Sequence, residues 1–309
     1  MSKNKNFISW SILLSLMLVW GSSFILIKRS LEYFSATEVG LLRVVITFLF
    51  LLPIALIKLS KINKKHRNYL IISGVIGSLI PSFMFAIAQT QISSFLAGTL
   101  NSLTPLFTLF MGLAFFNLKA KWFNVIGVFI GLIGAIGLIY ASSGNLGFVV
   151  NIKYSFLIII AAICYAFNVN FIKVYLKQLD SLTITALTFF YIGIPSLIYV
   201  LIFSDIPSKI LHEDSAITGL GYISLLSVFG TGIALIAFNK LIKMSSPIFA
   251  SSVTYIIPIV AILWGILDGE IFKLVYLIWF ALILSGVLLV NTSAKNKFYH
   301  LIFKSRGKA

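Results

Sequence analysis

The chain has 309 residues, of which 60% are hydrophobic and 10% charged, with a formal net charge of +16; its mean hydropathy is +1.06. Soluble globular proteins hold about 25% charged residues, so a water-soluble fold of this composition would lack the polar surface to cover itself. Lys and Arg sit in short hydrophilic gaps between long apolar runs rather than along a basic groove, which excludes nucleic acid as the partner and points to a lipid bilayer.

A helix needs about 20 apolar residues to cross the hydrocarbon, and the charge-free intervals predict ten such helices, an all-α polytopic membrane protein. The first covers 8–27. Preceded by Lys3 and Lys5, it resembles a signal peptide, but it is long for one and has no clear A-x-A cleavage site, so it reads as a retained span. The second covers 37–57 and is interrupted by Arg43. In "SATE", Ser35 is placed to cap that helix, with Glu38 completing a capping box. The uncharged run from Asn68 to Leu118 is too long for one span, and "QTQISS" at 89–94 divides it into the third and fourth. The fifth covers 123–140; after the loop "ASSGNLG" come spans at 154–172, 182–203, 217–239, 247–267 and 274–291. Asp180 is a suitable N-cap for the seventh.

With the N terminus inside, 18 of the 24 Lys and Arg fall on the cytoplasmic side, five lie outside and Arg43 lies within a span. The positive-inside rule then puts both termini in the cytoplasm.

The chain also repeats itself. "SSFLAGTLNSLTPLFTLFMG" (93–112) matches "SPIFASSVTYIIPIVAILWG" (246–265) at an offset of 153, pairing Pro105 with Pro258 and, upstream, Gly77 with Gly230 and Phe85 with Phe238. Near the start of each half the offset is 145, pairing Trp20 with Tyr165, Ser23 with Asn168 and Lys28 with Lys173. The expected organisation is a first five-helix repeat at 1–145 and a second at 146–309 that ends in a basic cytoplasmic tail. Five is odd, so the halves insert in opposite senses, the inverted-repeat arrangement of secondary transporters with a site near the midplane.

"VWGSSFILIK", Arg43 in the second span, the Pro-centred fourth and ninth spans and the "GILDGE" ending together resemble the EamA type of the drug/metabolite transporter superfamily. The resemblance covers nearly the whole chain. It implies ten helices in two inverted halves, alternating access, and export of amino acids, metabolites or drugs. The chain departs from the family pattern where Asn117 stands opposite Glu270 in the repeat, so a role for that Glu is not shared by both halves.

Helical spacing sorts the polar residues by face. Trp20, Ser23, Phe24 and Ile27 form one stripe, and Tyr165, Asn168, Val169 and Ile172 its counterpart; Ser78, Ser82, Phe85 and Gln89 form a third, and Ala97, Asn101, Thr104 and Thr108 a fourth. Asn239, Thr254 and Tyr255 supply the opposing side. The functional reading is a solute cavity whose candidate binding residues are Trp20, Ser23, Gln89, Asn101, Tyr165, Asn168, Asn239, Thr254 and Tyr255. The competing reading has the small polar groups merely joining helices, each bond worth about 0.6 kcal/mol. Arg43 is a functional candidate because intramembrane charge is costly, its structural alternative being to hold the second helix to the first. Lys28, matched by Lys173, is a second charge of interest. Pro105 and Pro258 are candidate hinges, since each removes a backbone donor. The run "GVFIGLIGAIG" lies in the fifth span without a preceding strand, so its glycines read as helix packing rather than a nucleotide loop. Trp264 reads as an interfacial anchor and Cys164 as a small buried hydrophobe.

One cysteine and three histidines give no basis for a metal site, and no cofactor is implied. With no Walker motif, ATP does not drive the protein directly. Expected is a secondary transporter, an exporter of small amphipathic solutes, with the spans offering no deep Asp, Glu or His for proton coupling. The alternatives are a membrane enzyme acting on lipid-linked substrates, for which the acids are too scattered, and a channel. The oligomeric state is left open, a monomer being one option.

Overall fold

In the computed structural model the backbone is described for residues 3–60, 62–117, 122–142 and 148–303. Part of the "ASSGNLG" loop and the lysines at 119 and 121 therefore lie outside the described residues. All regular structure among them is helical. Eight helical stretches are long and apolar enough to cross a membrane, and two shorter apolar ones, Ile126–Ala141 and Val275–Leu289, occupy the fifth and tenth expected intervals.

Helix α1 (Lys3–Ser30) is followed by α2 (Ala36–Leu59), whose first turn is closed by the expected capping box: Ser35 Oγ accepts from the Glu38 amide, and Glu38 Oε2 accepts from the Ser35 amide. The third span is built from α3 (Lys64–Gly74), a π turn (Val75–Leu79) and α4 (Ile80–Ala88). The fourth breaks into α5 (Ser94–Asn101) and α6 (Thr104–Phe115). Helices α7 (Trp122–Ala141), α8 (Phe148–Tyr175) and α9 (Ser181–Phe203) follow, α9 capped by Asp180 Oδ1, which accepts from the Thr183 amide at 2.8 Å. The loop between the seventh and eighth spans folds a short helix of its own, α10 (Ile206–His212). The eighth span is α11 (Asp214–Ser227), a second π turn (Val228–Ile233) and α12 (Ala234–Met244). The ninth is α13 (Pro247–Ser251), a 3₁₀ turn (Ser252–Tyr255) and α14 (Ile257–Leu267), and α15 (Val275–Phe303) completes the chain.

The two interruptions recur at the sequence offset of 153. The π turns begin at Val75 and Val228, and the helix breaks fall at Ser102–Leu103 and around Tyr255–Ile256. Pro105 and Pro258 do not kink continuous helices. Each stands in the first turn of the segment after the break, where its missing N–H costs nothing.

Close helix packing explains the glycine-rich fifth span. A Cβ at Gly137 would run into the Trp279 ring of α15, and one at Gly286 of α15 would run into the backbone of Gly127 and Gly131. Buried side chains form two clusters, one around Phe24, Leu96, Leu100 and Ile257 and the other around Leu16, Val44, Leu187 and Leu241; Trp20 packs against both. The candidate site therefore begins where the two clusters meet.

Candidate functional site

A cavity with about 100 Å³ open to water-sized molecules lies at this junction. All four residues of the α1 stripe (Trp20, Ser23, Phe24, Ile27) and all four of the α8 stripe (Tyr165, Asn168, Val169, Ile172) line it. Helical periodicity puts each set of four on one face of its own helix, and packing brings the two faces to one cavity.

The aromatic walls come in two pairs at matching repeat positions. Trp20 meets Phe238 of α12 edge to face, with centroids 4.9 Å apart, and Tyr165 stacks on Phe85 of α4 at 5.9 Å. Beside them the π turns let small residues approach closely. A Cβ at Gly230 would lie 2.9 Å from Ser23 Oγ, and one at Gly77 would run into the Asn168 amide. Each long helix, α1 and α8, thus reaches into the interrupted helix of the other half. Trp20 Nε1 donates to the Gly230 carbonyl at 2.9 Å, which fixes the indole.

The polar lining is mostly uncharged. Ser73 Oγ donates to Asn168 Oδ1 (2.8 Å), Asn239 Nδ2 donates to Thr185 Oγ1 (2.9 Å), and Thr104 Oγ1 donates to the Asn101 carbonyl (2.6 Å). Thr188 Oγ1 is buried without a hydrogen-bond partner. It also lines the cavity, so it presents polar capacity that a solute can use. Arg43 is the charged residue among the described lining residues. Its Nε donates to Thr231 Oγ1 at 2.9 Å, so it bridges α2 to the second π turn rather than to α1. Thr254 also lines the cavity.

Two expected binding residues are placed elsewhere. Gln89 is buried beside the end of α1, its Nε2 donating to the Phe24 carbonyl (2.9 Å) and to Ser94 Oγ (3.4 Å). Tyr255 falls in the 3₁₀ turn and its hydroxyl donates to the Val287 carbonyl of α15 at 3.4 Å. A turn of 3.0 residues rotates a side chain away from where a straight helix would aim it. Sequence reasoning left out Phe85, Phe238, Thr185, Thr188 and Thr231 as site residues. The Phe85–Phe238 match in the repeat was the signal for the first two.

Lys28 stands apart from the cavity, in an ion cluster at one end of the bundle. Its Nζ lies 2.8 Å from Asp268 Oδ2 and 2.9 Å from Glu270 Oε1. Arg29 pairs with Asp268 and with Glu32 (2.9 Å), and the Ser94 amide donates to Glu270 Oε1 at 3.0 Å. The cluster ties together the end of α1, the start of α5 and the end of α14. The local backbone makes this possible: Gly269 at φ 81° reverses the chain after α14, with the Glu270 amide donating back to the Gly265 carbonyl at 2.8 Å. Glu270 then folds over Gly265, where a Cβ would lie 2.6 Å from Oε2. Burial opposes ionisation of Asp268, but its hydrogen bond to Lys28 and the charges of Lys28 and Arg29 outweigh burial and hold its carboxyl below the usual range. At the repeat position of Glu270, Asn117 takes φ 54° and serves as the stop of α6, a conformation Asn tolerates.

Lys173, the repeat counterpart of Lys28, caps a helix end instead. Its Nζ donates to the carbonyls of Ile242 (2.8 Å), Lys243 (3.2 Å) and Ser245 (2.6 Å) at the end of α12. Trp264, expected at an interface, is partly exposed and donates to Ser22 Oγ at 2.8 Å.

Comparison with known proteins agrees with this architecture. The EamA-like transporter family model matches residues 8–140 and 152–292. The chain belongs to the EamA-like transporter family. It is thus a multi-pass membrane transporter. It is 28% identical, over 90% of its length and 89% of the other's, to an Escherichia coli K12 protein named uncharacterized inner membrane transporter YedA. It is 23% identical to an uncharacterized transporter of Archaeoglobus fulgidus, over 91% of this chain and 98% of that one. A solved crystal structure of a protein matches its fold with a TM-score of 0.63 at 17% identity, over 93% of this chain and 97% of that chain.

Proposed function

We propose that this family member is a secondary transporter of the inner membrane that exports small amphipathic metabolites, such as amino acids or drugs, by alternating access. In this reading ten spans form two inverted five-helix repeats, 1–145 and 146–309, with both termini in the cytoplasm. One observation carries it: two repeat-related aromatic pairs, Trp20–Phe238 and Tyr165–Phe85, face a single cavity and each pair joins the two halves. A site shared between two similar halves is what rocking of one half against the other requires.

The Lys28 cluster supplies the closed end. With the N terminus inside, it lies at the outer face, while cavity residues such as Ile184, Thr185, Ser251 and Thr254 belong to the cytoplasmic ends of their helices. In this reading, access from the cytoplasm is the state in which an exporter takes up its solute. Pro105 and Pro258, just after the repeat-related breaks, act as hinges, since neither offers an N–H to bond back across its break. The membrane-enzyme alternative would draw on clustered acids, and none of the described cavity residues is acidic.

The test is flux in proteoliposomes containing the purified protein, screened with labelled amphipathic solutes. Trp20→Ala and Tyr165→Ala are each expected to lower flux of any transported solute about 10-fold or more, while Gln89→Leu, outside the cavity, leaves the solute preference unchanged. If both aromatic variants carry every solute at the wild-type rate, the cavity is not the site.

A further inference from the structure

We propose that the cavity selects anionic amphiphiles, taking an aromatic or branched apolar monocarboxylate with its carboxylate on Arg43. The inference rests on the transporter reading of this cavity and adds the solute's charge to it.

The cavity holds an unbalanced charge. The chain has eight Asp and Glu, and each lies away from the cavity. Glu38 caps α2 and faces Lys209, and Asp180 caps α9 and faces Lys58. Glu32, Asp268 and Glu270 belong to the Lys28 cluster. Asp205, Glu213 and Asp214 flank α10. Arg43 is in none of the ion pairs of the described residues, although it stands inside a membrane span and lines the cavity.

Its protein partners are neutral dipoles. Thr231 Oγ1 accepts from Nε, and that hydroxyl in turn donates to the Leu226 carbonyl at 3.1 Å, so Thr231 holds the guanidinium by its stem side. Tyr165 is the other group that interacts with it. With Nε on Thr231 and the Tyr165 hydroxyl as its other hydrogen-bonding neighbour, a solute carboxylate would meet the terminal nitrogens beside Tyr165, whose fork matches its two oxygens. An intramembrane Arg without a counter-ion is costly, and a bound carboxylate supplies what the protein does not.

The rest of the cavity fixes the body of the solute. The faces of Trp20, Tyr165, Phe85 and Phe238 suit an aromatic or branched apolar group. An ammonium finds no carboxylate among the described lining residues, so a zwitterion gains at one end only and a lipophilic cation is repelled by Arg43.

The experiment uses the full chain and one series of probes sharing a phenylethyl body: 3-phenylpropionate, 3-phenylpropionamide, phenylalanine and phenethylamine. Competition against a transported solute in proteoliposomes and thermal stabilisation of the purified protein are the readouts. Wild type is expected to prefer the carboxylate over the carboxamide by about 10-fold or more, the usual difference between a charge-assisted and a neutral hydrogen-bonded pair. Phenylalanine should fall between them and phenethylamine last. Arg43→Gln should equalise carboxylate and carboxamide, and Arg43→Lys should keep part of the preference. Should Arg43→Gln fail to fold, the wild-type ranking carries the test alone. Equal affinity for carboxylate and carboxamide, or failure of the carboxylate to bind, overturns the proposal, as does a folded Arg43→Gln protein that still prefers the carboxylate. If Trp20→Ala and Tyr165→Ala abolish flux while carboxylate and carboxamide are carried equally, the cavity stands and anion selection fails. If those variants leave flux untouched, the cavity itself fails.

Discussion

Lys28 and Lys173 occupy matching positions near the ends of α1 and α8, yet one is held by carboxylates and the other by helix-end carbonyls. Lys28 lies against Asp268 and Glu270, whose side chains are 7% and 9% exposed. Removing one partner from such a pair leaves a buried charge behind. Lys173 meets three carbonyls at the end of α12, a favourable site for a cation at a helix C terminus, but carbonyls that lose it can turn to water. The duplicated framework thus has an ionic lock at one end and a softer cap at the other. The difference originates in "LDGE", where Gly269 turns the chain and brings Glu270 back over Gly265, whereas Asn117 merely ends α6.

The largest effect is expected from breaking the lock. Lys28→Gln should cost the closed Lys28 end about 1–3 kcal/mol, between an exposed pair and a fully buried one. That shifts the balance between closed and open roughly 5–150-fold. Thiol labelling of a cysteine placed at Phe95 checks this, in a background with Cys164→Ala. Faster labelling in Lys28→Gln supports the lock, and an unchanged rate removes it.

Gly265→Ala probes the same lock from the helix side. The added methyl would sit 2.6 Å from Glu270 Oε2, so Glu270 must move. Labelling at Phe95 should rise about as much as for Lys28→Gln, and the double variant should add little, because both act on one cluster. Full additivity would mean that Glu270 and Lys28 act separately.

Lys173→Gln should have the smaller effect, about 0.3–1 kcal/mol, read as a modest rise in labelling at the Lys173 end. An effect exceeding that of Lys28→Gln would reverse the comparison.

These contrasts also mark what the sequence could convey. The α1 and α8 stripes were legible because regular helices put positions three and four apart on one face, and all eight residues reached the cavity. The capping residues Ser35 and Asp180 were legible because capping is local. Tyr255 went elsewhere because it falls in the 3₁₀ turn, and Gln89 because α4 ends just before it and its amide bonds to the Phe24 carbonyl and Ser94 instead. The partner of Arg43 was illegible for another reason: periodicity tells which face a residue occupies, not that the second π turn packs beside α2. Lys28 drew notice through its match to Lys173, but its carboxylates come from a chain reversal more than 200 residues away.

The weakest expected effect is that of pH. Because the Asp268 carboxyl is held below the ordinary aspartate value of 3.8, its stabilising pair with Lys28 and Arg29 is complete above that value. It is lost as pH falls from there through the depressed folded value. Labelling at Phe95 should therefore be nearly constant between about pH 8 and pH 5 in wild type, once thiol reactivity is normalised. A rise near neutral pH would show that another group controls the lock.

The central claim is that one cavity between two similar halves is exposed alternately at the two ends. Double spin labelling tests it most directly, with one pair at Glu32 and Ile271 and the other at Lys177 and Ser246, in reconstituted Cys164→Ala protein. Lys28→Gln or saturating transported solute should lengthen the Glu32–Ile271 distance while the Lys177–Ser246 distance shortens. Both distances lengthening together, or neither responding to either condition, would contradict alternating access around this cavity.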